Sequence, residues 1–381
     1  MFKILNKNEN YRVAVIADIH FGSQNPRQLY SELIDYFINE LYKLDKLDMI
    51  VIAGDLTNMK MPFESEHILF LNRFMMVDLY NLVLHFNCKL RIIQGTKSHD
   101  NSQLLNYKNT LEYRPEINCK VILNVTTEKI DNMNILYLPE EYPKDPNTYY
   151  SEFFSFIHYD FIFGHGNVDE LGFHPKEDNT EFHMGKSPVF RANKLSEYVR
   201  SLCVFGHYHH YHEVTDKMLY VGSFSSWTFD DEEEKGFVIL DYNRHKRVTN
   251  HYRIINEGCT KLISLDLELF IKEDIDKIVN NILNYKEENL IDRLRLFINM
   301  NNISESEEEK INILRKNFRH NKDIIFLVKG NNKILKERDT NKENEYIFDK
   351  SITIEEKISL FIKNIYNEDL TVEEIKEILN K

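Results

Sequence analysis

RVAVIADIHFGSQNPRQLYSELIDYFINELYKLDKLDMIVIAGD (12–55) is the stretch on which the fold class turns. RVAVIA (12–17) and MIVIA (49–53) are short apolar runs with no polar alternation, the pattern of strands buried on both faces. Between them, over 28–43, Leu29, Leu33, Ile34, Phe37, Ile38 and Leu41 recur with a helical period. Strand, helix and strand at this spacing predict α/β layering around a mostly buried sheet. Both strands end in side chains capable of chemistry: Asp18-Ile19-His20 after the first, Gly54-Asp55 after the second.

The pattern repeats outward. LRIIQ (90–94), NILYL (134–138), FIF (161–163), CVF (203–205) and FVIL (237–240) also read as buried strands. Ser98-His99-Asp100 lies just after the first of these, Gly164-His165-Gly166 after FIF, and Gly206-His207-Tyr208-His209 after CVF. Strand carboxyl ends project toward one rim of a sheet, where α/β proteins place their sites. Neighbouring glycines let the backbone turn tightly and approach a bound ion.

Asp18, Asp55, His20, His165, His207 and His209 converging there supply hard oxygen and borderline nitrogen donors, a set suited to Mn, Fe or Zn. Six candidate ligands exceed what one catalytic ion takes while leaving a position open for water, so two metals are expected. A bridging carboxylate such as Asp55 would hold them about 3.5–4 Å apart and let a shared hydroxide attack a phosphorus in line. His99 is then free to protonate the leaving oxygen. Singly these motifs are weak, since an Asp-x-His is common and a Gly-Asp after a strand is usually a turn. Their ordered occurrence at successive strand ends carries the reading.

Bulk properties narrow the class. The chain has 381 residues, 42% hydrophobic and 29% charged, enough for a domain of about 250 residues and a smaller appendage. Its net charge of −13 argues against coating nucleic acid by general electrostatics, though a local cationic metal site can still hold a phosphodiester. Cys88, Cys119, Cys203 and Cys259 are widely spaced and read as free thiols of a reducing cytoplasm. No stretch approaches the ~20 consecutive apolar residues of a membrane span, and the polar start MFKILNKNEN does not read as a signal peptide. No membrane association is therefore expected.

Organisation changes after Gly258. A first domain is expected over 1–256 and a small α+β domain over 257–330, with helices near 272–286 and 305–317 and strands RLRLFINM (293–300) and DIIFLV (323–328). A polar linker over 331–350 precedes two amphipathic helices in 351–381. Ile354, Ile358, Phe361, Ile362 and Ile365 line the first of these; Val372, Ile375, Ile378 and Leu379 line the second. Thr353 with Glu356 and Thr371 with Glu374 match capping boxes at their starts. A pair this small cannot bury its own apolar faces and needs a surface to sit on.

The series D-x-H, G-D, His-Asp loop, G-H-G, G-H-x-H resembles the calcineurin-like metallophosphoesterases over about 11–256. The run from Tyr220-Val221-Gly222-Ser223 through Asp230 to Glu234-Lys235-Gly236-Phe237 looks like the SbcD-type branch of DNA repair and recombination nucleases. The resemblance implies a layered β-sandwich flanked by helices, with a small α+β capping domain and a C-terminal helical tail. It implies Asp18, His20 and His209 on a first metal, Asp55 as bridge, His165 and His207 on a second, and His99 as the catalytic histidine. It further implies Mn²⁺ as the working metal, DNA as substrate of exo- and endonuclease action, a homodimer, and an SbcC-type coiled-coil ATPase as partner, docked by 351–381. One motif departs. The family usually reads Gly-Asn-His-Asp with Asn on the second metal; here the loop is Gly95-Thr96-Lys97-Ser98-His99-Asp100, and Ser98 stands before the histidine. A hydroxyl is the weaker ligand, so a looser second ion is expected, with Lys97 adding positive charge near phosphate.

Two other functions fit the same core: a stand-alone phosphatase or nucleotide phosphodiesterase, and a scaffold subunit that has lost catalysis. Met184-Gly185-Lys186-Ser187 ends like a phosphate-binding loop, but Thr180 stands where that loop needs glycine. His174, His183, His210 and His212 read as loop histidines, Asp230–Glu234 as a solvated acidic run and Trp227 as core or pocket wall.

Overall fold

The computed structural model describes residues 10–100, 103–154, 158–169, 189–226, 228–229, 234–269, 271–288, 291–299, 303–319, 321 and 323–329. The linker expected over 331–350 and the helix pair expected over 351–381 lie outside them. The chain divides into two compact units, Met1–Ser264 with Asn284–Arg295, and Leu265–Leu283 with Leu296–Lys381.

In chain order the first unit carries β1 (Asn10–Ile16), β2 (Met49–Ala53), β3 (Lys89–Ile93), β4 (Asn118–Ile122), β5 (Thr126–Ile130), β6 (Met133–Leu138) and β7 (Tyr159–His165). After the two-residue β8 (Val168–Asp169) and β9 (Phe190–Arg191) come β10 (Val199–Gly206), β11 (His212–Thr215), β12 (Met218–Tyr220), β13 (Gly236–Asn243) and β14 (Val248–Ile255). β8 and β9 pair with each other, and the other twelve form two six-stranded sheets, ordered β14-β13-β1-β2-β3-β4 and β11-β12-β10-β7-β6-β5. β1 to β4 run parallel, as do β6, β7, β10 and β12, so each sheet gathers several strand carboxyl ends along one edge.

Side-chain alternation builds the layers. On the first sheet Ala14, Ile16, Ile50, Ile52, Leu90 and Ile92 pack under helices. Their neighbours Val13, Val15, Met49, Val51 and Ala53 meet Tyr137, Phe161, Phe163 and Val204 of the second sheet. The outer face of that sheet packs Leu136, Ile162, Cys203 and Phe205 against Tyr150, Phe154 and Leu195. The result is a helix–sheet–sheet–helix sandwich: the apolar runs predict its buried strands in α/β layers, and the resemblance implies the two-sheet architecture.

The helix after β1 starts at Asn25, whose side chain accepts from the amides of Arg27 and Gln28, with Pro26 in the first turn. The helix Glu66–Phe86 starts at the Ser65 cap and ends where Asn87 turns left-handed at φ 48°. By length and mean hydropathy (21 residues, 1.2) this helix would pass for a membrane span. Its inner face, Leu71, Phe74, Met75, Leu79, Leu82 and Val83, is part of the first sheet's core. Both helices contain a π-segment, Ile34–Ile38 and Phe74–Asp78, and Phe37 and Phe74 from these segments meet with ring centres 6.4 Å apart.

The second unit holds most of the helix Ile275–Glu288, the helix Glu305–Asn317, and the strands β15 (Arg293–Asn299) and β16 (Ile324–Lys329) except for the first residues of β15. Ile278, Ile282, Leu296, Ile298, Ile311 and Leu314 are among its buried residues, and Ser304 and Glu307 close a capping box on the second helix.

Candidate metal centre

Strand register assembles the site. Leu138 of β6 and Phe205 of β10 both pair with Gly164 of β7, so the residues following these three strands share one edge. Asp18 and Asp55 follow the neighbouring parallel strands β1 and β2 of the other sheet. Donor atoms of Asp18, His20 and His209 lie within 4.8 Å of one another, as do those of His20, Asp55 and His99, of Asp18, Asp55 and His165, and of Glu140, His165 and His207. The seven side chains expected from sequence are thus in one cluster, with an eighth, Glu140, among them.

Asp55 is at its centre. Its Oδ2 is 2.7 Å from His99 Nδ1, 3.4 Å from His165 Nε2 and 3.8 Å from His20 Nε2. On one side His20 Nε2 and His209 Nε2 approach to 3.2 Å, with Asp18 Oδ1 at 3.9 and 4.0 Å from them. On the other, Glu140 Oε2 is 3.5 Å from His207 Nδ1 and 3.9 Å from His165 Nε2.

The backbone is strained where it presents these groups. Asp18, His20, Asp55 and His207 have φ of 51°, 54°, 48° and 107°, a region that side-chain-bearing residues seldom occupy. Strain of this kind persists only where the surroundings over-determine it. Here the Asp18 and His20 amides donate to the carbonyls of Gly54 and Asp55, and the His207 amide to the Asp18 carboxylate. Asp100, fully buried, accepts from the amides of Asp55, Thr57 and Gly95, tying two ligand-bearing loops together. The close packing explains Gly54, whose φ is 87°. A Cβ there would sit 2.1 Å from His165 Nδ1.

Electrostatics follow from burial. Desolvation raises the Asp18 carboxyl to about 6 and, with repulsion from Asp55, raises Asp100 to about 7. Desolvation also lowers His20 to about 3 and lowers His207. Burial pushes Asp55 up as well, but the surrounding histidines outweigh it and hold its carboxyl well below the usual range. His165 is depressed by burial yet lifted to about 10 by Asp55, Asp18 and Glu140. His99 is raised, chiefly by its hydrogen bond to Asp55.

The donor set fits divalent cations. Among the described residues no lysine or arginine pairs with Asp18, Asp55 or Glu140, although all three are at most 5% exposed. Buried charge without a partner is costly, and cations supply what is missing. His165 Nδ1 lies 2.9 Å from the Ala53 carbonyl and must donate to it, which turns Nε2 inward; that atom is buried and has no hydrogen-bond partner. On this geometry Asp18, His20, His209 and Asp55 would hold one ion, and Asp55, His165, His207 and Glu140 the other.

A family model for calcineurin-like phosphoesterases matches residues 11–247. The chain belongs to this family. As in other phosphoesterases of its kind, a metal-dependent hydrolase is the coarse identity, and the His/Asp cluster fits the metal centre. No curated protein matches the phosphoesterase chain. Among solved structures, a solution NMR structure of a Thermotoga maritima protein is similar at 10% identity and TM-score 0.26, over 64% of this chain and 98% of that one. A crystal structure of an Aquifex aeolicus protein of unknown function is similar at 14% identity and TM-score 0.22, over 50% and 94%. Neither likeness bears on function.

Sequence reasoning overlooked Glu140, Thr96 and Tyr142, and gave Asp100 a place in its motif but no role. The strand-end rule that singled out the histidines applies equally to NILYL, whose next residues are Pro139-Glu140. Ser98 and Lys97 are exposed on the short helix Lys97–Asp100. His210 and His212 are exposed, and His212 stacks on Tyr220. His174, His183, Met184–Ser187, Thr180 and Trp227 lie outside the described residues. The four cysteines are free, as expected.

Proposed function

We propose that this phosphoesterase is a two-metal DNA nuclease, cutting phosphodiesters as a subunit of a DNA end-processing complex with Mn²⁺ as its working metal. The observation that carries the two-metal part is the pair of ligand sets on either side of buried Asp55, with histidines but no lysine or arginine paired to these carboxylates among the described residues. When bound, the ions supply Lewis acidity toward phosphoryl oxygens and the means to deprotonate water near neutral pH. His99, half-exposed, hydrogen-bonded to Asp55 and raised in pKa, is placed to hold a proton and deliver it to the leaving oxygen. Asp100 and the Gly54 turn keep Asp55 in place while it does so.

DNA as substrate is supported by the SbcD-like run 220–240. Two described residues of that run contact the candidate site: Ser223 N and Lys235 Nζ donate to the His209 carbonyl at 3.1 and 3.0 Å. The same resemblance supports a homodimer in the cytoplasm and an SbcC-type coiled-coil ATPase partner. Deleting 351–381 should abolish binding of such an ATPase and spare Mn²⁺-dependent cleavage; full binding by the truncated chain would remove the docking idea.

The deciding experiment is cleavage of end-labelled linear duplex DNA in Mn²⁺ by wild type and Asp55→Ala, with small phosphoesters in parallel. Cutting by the wild type alone supports the nuclease. Turnover of small nucleotides without DNA cutting moves the stand-alone phosphatase ahead. Metal uptake with no turnover on any phosphoester is the signature of the scaffold.

A further inference from the structure

We propose that Glu140 is a direct ligand of the second cation, supplying a donor where Ser98 stands in the sequence slot of the usual asparagine. The inference rests on the two-metal reading above and adds a residue to it. Ser98, which stands in the asparagine's slot, is exposed. Glu140, at the end of β6, is 5% exposed and groups with His165 and His207, their donor atoms lying within 4.8 Å of one another. Its Oε2 faces His207 Nδ1 at 3.5 Å and His165 Nε2 at 3.9 Å, the latter the buried nitrogen without a hydrogen-bond partner. Two imidazole nitrogens and a carboxylate oxygen converging within 4.8 Å are a ligand set for a borderline divalent cation.

Its surroundings orient it for that task. Tyr142 OH donates to Oε1 at 2.6 Å and Thr96 Oγ1 lies 3.1 Å from Oε2, while the Glu140 amide donates to the Gln94 carbonyl at 3.2 Å. Thr96 Oγ1 is also 3.3 Å from Asp55 Oδ2, and one hydroxyl proton serves only one of these carboxylates at a time. Two neutral hydroxyls are enough to satisfy an amide. They do not balance a buried carboxylate beside Asp55, and among the described residues no lysine or arginine does. A cation held between Glu140 and Asp55 does. With an anionic ligand in place of a neutral one, the second ion is bound more tightly, reversing the loose second site that Ser98 alone implies.

The test is Mn²⁺ binding to the metal-stripped full chain, by calorimetry and elemental analysis, with electron paramagnetic resonance of the loaded protein. Wild type should bind two ions and show a spin-coupled pair. In Glu140→Ala one ion should bind as in wild type and the second about 100-fold more weakly or worse, since even outer-shell partners contribute roughly 10–100-fold in metal affinity. The spectrum should become that of isolated Mn²⁺. Glu140→Gln, which keeps the shape and the hydroxyl contacts, should fall between the two and guards against misfolding of the alanine variant. Two ions at unchanged affinity in both variants would overturn the inference alone, leaving Glu140 an acceptor for Tyr142 and Thr96. A wild-type chain that takes up no more than one ion would overturn the two-metal reading and this inference with it.

Discussion

Two regions of the sandwich take charge out of water, and they balance it in opposite ways. Between the sheets, Arg91 of β3 is 1% exposed and spends all its donors inside the protein. Its Nε and Nη2 grip Glu128 of β5 at 2.7 and 2.9 Å, and the remaining N–H groups reach the Leu90 and Asn118 carbonyls and the Asn118 side chain. Tyr137 OH adds a bond to Glu128. Burial alone would raise Glu128, but Arg91 and Lys120 outweigh it and hold its pKa below the usual range. At the rim, Asp18, Asp55 and Glu140 are as deeply buried and have histidines for neighbours but no lysine or arginine among the described residues. The first arrangement is complete as the chain folds. The second is complete only when cations arrive, which distinguishes a structural pair from a binding site.

The largest effect should fall on the rim. Asp55→Ala should lower Mn²⁺-dependent phosphoester hydrolysis by at least about 10³-fold, roughly 4 kcal/mol of transition-state stabilisation. Steady-state kinetics on whichever phosphoester the wild type turns over measures this. A loss under tenfold would mean that Asp55 does not join two ions.

Arg91→Met should instead destabilise the fold by about 3 kcal/mol, because partly buried Glu128 loses both Arg91 bonds and keeps only the more exposed Lys120. Urea denaturation should give the same loss with and without Mn²⁺, and activity per folded molecule should be unchanged. A double variant, Arg91→Met with Glu128→Leu, should recover much of the stability. Because the folded pKa of Glu128 is depressed, its contribution is full above the ordinary carboxylate range and fades as pH falls through the folded value. The double variant should therefore lose less stability than wild type on acidification, and equal acid sensitivity would mean that Glu128 is not the group responsible.

Metal itself should separate the regions. At about 100 times its Kd, Mn²⁺ should stabilise wild type by about 2.7 kcal/mol, with the gain removed by chelator. Thermal melts of Asp55→Ala should show little of that gain, whereas Arg91→Met should show all of it. Smallest of all, Tyr137→Phe should cost about 1 kcal/mol, one hydrogen bond to an already paired carboxylate, with no change in metal response.

Much of this was legible in one dimension. The apolar runs 12–17, 49–53, 90–94, 134–138, 161–163, 203–205 and 237–240 are β1, β2, β3, β6, β7, β10 and β13 to within a few residues. They are buried on both faces, so composition alone marks them. β4, β5 and β14 carry exposed polar positions at the sheet edges, and β11 and β12 are short, so no apolar run announces them. The Glu66–Phe86 helix went unread, although Leu71, Phe74, Met75, Leu79, Leu82 and Val83 recur at helical spacing across its π-segment.

The same division holds for the site. Asp18, His20, Asp55, His99, His165, His207 and His209 are visible because glycines and strand ends flag them, and the chain by itself determines which residue types stand at which strand ends. Only the tertiary structure decides which of those ends meet. Register between β6, β7 and β10 brings Glu140 to His165 and His207, and packing of the two sheets brings both to Asp55. A glutamate after a proline in a loop has no local mark of function; it acquires one when burial strips its water and sets it against His165 and His207.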